Sequence, residues 1–269
     1  MVQPESHLPN PSSLGSNGMS LLRQIGELPR LLVSVRSVEE AVQAAAGGAE
    51  ILDVKEPRRG SLGMASLLEI TAIARVECLA TKSIPLSVAL GELNEWSQYS
   101  PQIELPEGIQ FAKLGLSQYA NARHWREKWM TVRHEFERRS RSPLRWVAVA
   151  YADQSAAASP PVDEILDAAV ETRCCGLLID TWTKDHRTLF DFIDPRLINR
   201  IADKCHAAGL FLALAGKLRV EEIPTLAGIS VDVIAIRSAA CRQSDRTIEL
   251  DPDRIAEFRD RRRHCMVNL

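Results

Sequence analysis

Residues 31–55 read LLVSVRSVEEAVQAAAGGAEILDVK, a complete strand–helix–strand unit in one line. The run at 31–35 is apolar on both faces, as a strand covered on both sides must be. Ser37 follows as an N-cap with Glu40 three residues on, the pattern of a capping box, and the helical stretch stops at Gly47-Gly48. A second apolar run, ILDVK, then begins. Two such strands joined by a helix belong side by side in a parallel sheet with a right-handed crossover.

The same alternation runs outward to the end of the chain. Strands are expected at 31–35, 51–55, 86–90, 109–115, 146–150, 176–180, 210–215 and 231–237, with helix-patterned stretches between most of them. The connection at 94–106 is poorly helical. Eight units without a linker predict one α/β domain, a (β/α)8 TIM barrel over 31–269. No GxGxxG or GxxxxGK[ST] follows any strand, which argues against an open dinucleotide-binding sheet. Residues 1–30, rich in Pro, Ser, Gly and Asn, read as a flexible extension with a short helix at 19–25. Trp125 and Trp129, four apart, suit core packing. The basic run at 138–141 suits a solvated helix end.

A formal net charge of -2 gives no overall field for a polyanion, so nucleic acid is not the expected partner. No apolar stretch is long enough to cross a bilayer and no signal pattern opens the chain, so the expected setting is the cytoplasm, off the membrane. The six cysteines form no CxxC pair and the six histidines no HxH or HExxH, so neither a disulfide framework nor a metal site is expected. The expected ligand is a small molecule, without a cofactor. A homo-oligomer is left open.

In a barrel, active sites form where strands end at the C-terminal face. If Leu52 and Val54 face the helices, Asp53 and Lys55 point inward. The same parity puts Lys113, Asp180 and Arg237 inward at the ends of strands four, six and eight. The even strands thus end in Lys55, Lys113, Asp180 and Arg237, and such a layer of four charges at the mouth of an apolar barrel is costly unless the groups pair with each other or with a ligand. One reading is a salt-bridge layer that merely closes the barrel. The excess of cations favours the other, an anionic substrate. Two lysines facing each other in a desolvated pocket would also depress each other's pKa, giving the neutral amine a Schiff base needs, with Lys55 or Lys113 as nucleophile. The loop after strand two brings Arg58, Gly60 and Ser61, either an exposed turn or a phosphate cradle. Gly216 and Lys217 after strand seven, and Arg237, Ser238 and Ala239 after strand eight, occupy the loops where barrels often bind phosphate. Lys184, four residues past Asp180, is either a loop residue or its acid–base partner.

These segments together resemble one family. LLVSVRSVEEAVQAAAGGAEILDVKEPRRGSLG, AKLGL around Lys113, VAYAD at 149–153, LLIDTWTKDHRTLFDF at 177–192, ALAGKL at 213–218 and IRSAAC at 236–241 stand in the order found in the (5-formylfuran-3-yl)methyl phosphate synthases, also called 4-(hydroxymethyl)-2-furancarboxaldehyde-phosphate synthases. The resemblance implies that two molecules of glyceraldehyde 3-phosphate are joined and dehydrated to a furan phosphate, with loss of one phosphate, early in the making of a methanofuran- or methylofuran-type cofactor. It implies Lys55 as the Schiff-base lysine, Asp180 and Lys184 as the acid–base pair, and Lys113 as a second active-site lysine. The chain departs from the family pattern at Lys217 and Ser238, where a serine and a glycine are expected, and at Leu144-Arg145, where a lysine is. Two other readings share the residues: a class I aldolase or sugar-phosphate isomerase, and a non-catalytic barrel that senses a phosphorylated metabolite.

Overall fold

The computed structural model describes residues 28–96 and 102–267. The short helix expected at 19–25 lies outside the described residues. Along the chain come β1 (Arg30–Val35), α1 (Val38–Gly47), β2 (Ile51–Val54), α2 (Leu67–Ala74), α3 (Glu77–Thr81), β3 (Leu86–Glu92), β4 (Ile109–Gly115) and α4 (Trp125–Arg139). Then follow β5 (Arg145–Tyr151), α5 (Gln154–Ala157), α6 (Val162–Glu171), β6 (Gly176–Asp180), α7 (Pro195–Ala207), β7 (Phe211–Leu214), α8 (Ile223–Ala227), β8 (Val233–Ile236) and α9 (Pro252–Val267). The strands form a closed parallel barrel in sequence order. β1 completes the ring by pairing with β8, from Arg30↔Val233 to Val33↔Ile236.

Strand parity sorts the core into two layers. Leu52, Val54, Leu177, Ile179, Ile234 and Ile236 pack outward against the helices. Ile51, Phe111, Val149, Leu178, Phe211 and Ala235 fill the barrel itself. Phe111 and Phe211 meet edge to face at 6.2 Å within that inner layer. Asp53, Lys55, Lys113 and Asp180 fall on the inner parity and are buried.

The strand ends differ from expectation in detail. β2 stops at Val54, although the Lys55 amide still donates to the Val35 carbonyl at 3.0 Å. β3 runs two residues past 90, through Gly91 at φ +80° and a register shift between Ala89 and Glu92. β7 and β8 are shorter than 210–215 and 231–237.

In α1 the capping box is half formed. Ser37 accepts from the Glu40 amide, but the Glu40 carboxylate turns to the Arg36 amide at 3.0 Å and to Arg237. Gly48, left-handed at φ +92°, ends the helix as expected. α9 packs on α1, and its buried Arg262 binds the Glu50 carboxylate at 2.8 Å and the Pro29 carbonyl. Trp125 and Trp129 are buried in the outer core. Arg138 is solvated at the end of α4. Among the described residues no helix is long and apolar enough to cross a membrane.

Candidate active site

The even strands β2, β4 and β6 deliver their inward charges at two depths. In the deeper layer, Lys113 Nζ lies 2.6 Å from Asp53 Oδ1, with the side chains 4 % and 2 % exposed. Burial alone would push the Asp53 carboxyl up; the Lys113 and Lys55 ammonium groups outweigh it and hold it below its ordinary value. A narrow space of about 30 Å³ reaches this pair.

Above it opens a cavity of about 250 Å³. That is below the roughly 300–1,000 Å³ of sites for drug-sized ligands, and suits a small metabolite. Lys55 and Asp180 line both spaces and so form the cavity floor. The Lys55 amine donates to the Ser61 carbonyl at 3.3 Å. Burial pushes it down to about 7, against the upward pull of Asp180 and Asp53; the charges of Arg246 and Lys184 act with burial. Lys113, expected to depress it, is not among the largest influences: the two lysines stand in successive layers, and the cations that act most on Lys55 are Arg246 and Lys184.

Asp180 ends β6 with both carboxylate oxygens engaged by the protein. Its Oδ1 accepts from the Thr181 amide at 2.7 Å and from Lys184 Nζ at 3.0 Å, and its Oδ2 accepts from Ser61 Oγ at 2.8 Å. Burial opposes its ionisation, but Lys184, Lys55 and Ser61 together hold it well below the usual carboxylate range. Lys184 Nζ also donates to the Thr181 carbonyl at 2.5 Å. Its side chain is 23 % exposed, yet loss of water around the ammonium pushes its pKa down, with Asp180 pulling the other way. The result is a carboxylate and an ammonium in contact beside a second amine pushed down to about 7.

The phosphate-loop candidates separate. Gly216, Lys217 and Ser238 line the cavity, while Ala239 is buried and does not. Gly216 sits at φ +105°, where a Cβ would come within 2.8 Å of Thr181 Cγ2, so glycine alone fits. Lys217 Nζ donates to the Asp185 carbonyl at 2.5 Å. Arg58 is exposed in a 3-10 turn at Pro57–Arg59 and does not reach the cavity. Ser61, expected to meet substrate, instead holds Asp180.

Arg237 lies under the rim with its N–H groups taken up by the protein. It donates to the Ser34, Arg246 and Ile248 carbonyls at 3.0, 2.9 and 3.2 Å and to both Glu40 oxygens at 2.5 and 3.0 Å. A guanidinium has five N–H donors, so none remains for a ligand. Arg237 lines the cavity as well, but with every donor engaged its placement is that of an anchor for the loop after β8 and not of the phosphate ligand expected.

Three residues were given no role in the sequence reading, although Asp153 closes the VAYAD motif. Arg246, in the loop after β8, lines the cavity. Asp153 accepts from the Trp182 and Thr183 amides at 2.6 and 2.7 Å and so shapes the loop that carries Lys184. Glu92 accepts from the Tyr151 hydroxyl at 2.5 Å, and burial raises its carboxyl above the ordinary value. Among the described residues, no group of three or more His, Cys, Asp or Glu side chains is placed to hold a metal.

Comparison with known proteins follows the same lines. Among solved structures, GGGPS from Thermoplasma volcanium superposes with a TM-score of 0.59 at 10% identity, covering 95% of this chain and 98% of that one. Phosphoribosylanthranilate isomerase from Thermotoga maritima gives 0.54 at 14%, covering 88% and 100%. At such identities the likeness is one of fold. The (5-formylfuran-3-yl)methyl phosphate synthase of Methanopyrus kandleri is 34% identical over 224 residues, 81% of this chain and 92% of that protein. The protein of the same name in Methanocaldococcus jannaschii is 33% identical over 238 residues, 86% and 98% of the two. The model of 4-HFC-P synthase matches residues 31–259, the whole barrel up to the second turn of α9, and the chain belongs to that family.

Proposed function

We propose that this chain is a (5-formylfuran-3-yl)methyl phosphate synthase that joins two molecules of glyceraldehyde 3-phosphate through an iminium on Lys55. One inorganic phosphate and two waters leave, and a C6 furan aldehyde carrying one phosphate remains. The observation that carries the reading is the Lys55 amine itself, buried at the floor of a small cavity and pushed down to about 7. An amine that titrates there is half neutral at pH 7, and only the neutral form attacks a carbonyl.

The steps follow from what surrounds that amine. One triose, as its ketone isomer, condenses through its central carbon with Lys55 and loses water, leaving an electrophilic iminium. Lys184, in contact with Asp180 at 3.0 Å, when neutral takes the proton next to the aldehyde of the second triose, which expels its phosphate and becomes an enol whose terminal carbon adds to the iminium carbon. Asp180, held ionised, keeps Lys184 oriented and stabilises its charged form. Lys113, held by Asp53 beneath Lys55, maintains the charge balance of the floor. The free hydroxyl of the first triose then closes the ring on the second's central carbonyl, and loss of one water and of the Lys55 amine makes the ring aromatic, so that two waters in all, the one from iminium formation included, leave with the phosphate. The product belongs to an early step toward methanofuran-type cofactors.

Borohydride added during turnover tests this, because reduction turns a labile iminium into a stable amine. A triose adduct is expected on the peptide containing Asp53-Val54-Lys55. Lys55→Arg retains a charge but forms no iminium, and should abolish both adduct and furan absorbance in a folded protein. An adduct on Lys113 or Lys184 with Lys55→Arg still active overturns the assignment. A non-aromatic C6 sugar phosphate as sole product would mark an aldolase instead.

A further inference from the structure

The loop after β8 carries two arginines, and the structure treats them oppositely. Arg237 spends all its donors inside the protein, two of them on the Arg246 and Ile248 carbonyls, so that it pins the loop from below. Arg246 is thereby held over the mouth. Its Nη2 donates to the Gly60 carbonyl of the loop after β2 at 2.8 Å, which lays the side chain across the cavity. Its Nε is buried with no hydrogen-bond partner among the described residues. Lys55, Lys184 and Lys217 line the same cavity.

An N–H with no acceptor inside a protein is costly, and a charged one more so, unless a ligand completes it. The planar fork of a guanidinium matches two oxygens of a phosphate. Charge around the cavity points the same way, since Arg246 acts electrostatically on both Lys55 and Asp180. Arg58, the other candidate guanidinium, stands outside in solvent.

We propose that Arg246 binds the phosphate monoester of the triose held at Lys55, with Arg237 serving only to position the loop that carries it. This rests on the Lys55 reading for the identity of the ligand, but the anion site itself does not. A phosphate on Arg246 would draw the triose carbonyl down onto the amine, so that the guanidinium selects phosphorylated over plain trioses.

The test uses the full chain with Arg246→Ala and Arg246→Lys, each checked for an unchanged thermal midpoint. Calorimetry with inorganic phosphate measures the anion site without reference to Lys55. Borohydride trapping at about pH 9 keeps the Lys55 amine neutral with or without its cationic neighbour. The alanine variant should need about 10- to 150-fold more glyceraldehyde 3-phosphate for half-maximal trapping, the range for lost charge-assisted hydrogen bonds, while trapping of unphosphorylated glyceraldehyde stays within about 2-fold. The lysine variant should fall between. Inorganic phosphate should compete in the wild type and not in Arg246→Ala. Equal losses for both trioses, or unchanged phosphate binding, overturn the proposal. If no variant traps an adduct on Lys55 yet Arg246→Ala loses inorganic phosphate, the lysine reading fails and the anion site stands.

Discussion

Asp53→Asn removes the anion beneath Lys55 while keeping the side chain's shape. In the folded protein Lys113 Nζ lies 2.6 Å from that carboxylate, with both side chains almost wholly buried. At an effective dielectric of 20 the attraction across that distance is about 6 kcal/mol, much of it offset by desolvation. Breaking a buried pair from one side costs about 3–5 kcal/mol. Urea denaturation at pH 7 reads this. With a slope of about 2–3 kcal/mol/M, the midpoint at pH 7 should drop by roughly 1–2 M. Adding Lys113→Met should recover most of the loss, since an apolar pair is often no worse than a buried ionic one. A loss below about 1 kcal/mol at pH 7, or no recovery on adding Lys113→Met, would refute the claim that the fold depends on Asp53 pairing Lys113.

Two further expectations concern the reaction. Lys184→Ala should still accumulate a borohydride-trapped triose on Lys55 while furan formation, read by ultraviolet absorbance, falls by about 10²- to 10⁴-fold, the usual worth of a general acid–base group; equal falls in trapping and product would give Lys184 a role in attachment instead. Initial trapping rates should reach half their maximum near pH 7, where the amine titrates, whereas a lysine of ordinary pKa would be neutral in only about one molecule in 2,500 at that pH; a rate still climbing tenfold per unit above pH 8 would show that the amine is not depressed.

How far the sequence reaches depends on whether a rule of spacing applies. Strand alternation is a strict period of two, so Asp53, Lys55, Lys113 and Asp180 could be placed inside the barrel from parity alone. Arg237 obeys that parity too, but the chain turns at φ -135°, ψ -63° just past the last ladder residue, and Glu40 draws the guanidinium beneath the rim. Glu40 was legible only as a capping-box residue, because nothing local distinguishes a carboxylate that closes a cap from one that serves a partner at the end of the neighbouring strand. Glu92 was missed because Gly91 reads as a strand end, while its positive φ permits the strand to shift register and continue. Arg246 lies in an irregular loop without any period, and its role depends on a contact with Gly60, 186 residues away in the chain.

The Glu40–Arg237 pair joins residues 197 positions apart, which sets when the site comes into being during synthesis. A ribosome adding about 5–20 residues per second makes Lys55 some 10–40 s before Arg246. Through that interval β1 lacks β8, the rim has no anchor, and Lys55 remains a solvated, protonated amine like any other. Closing the ring is the slow, long-range step of such a topology, and the same step withdraws water from the amine and brings its pKa toward 7. In a nascent or half-folded chain Lys55 is therefore no more reactive toward aldehydes than any other solvated lysine; its depressed pKa arrives only with the finished barrel.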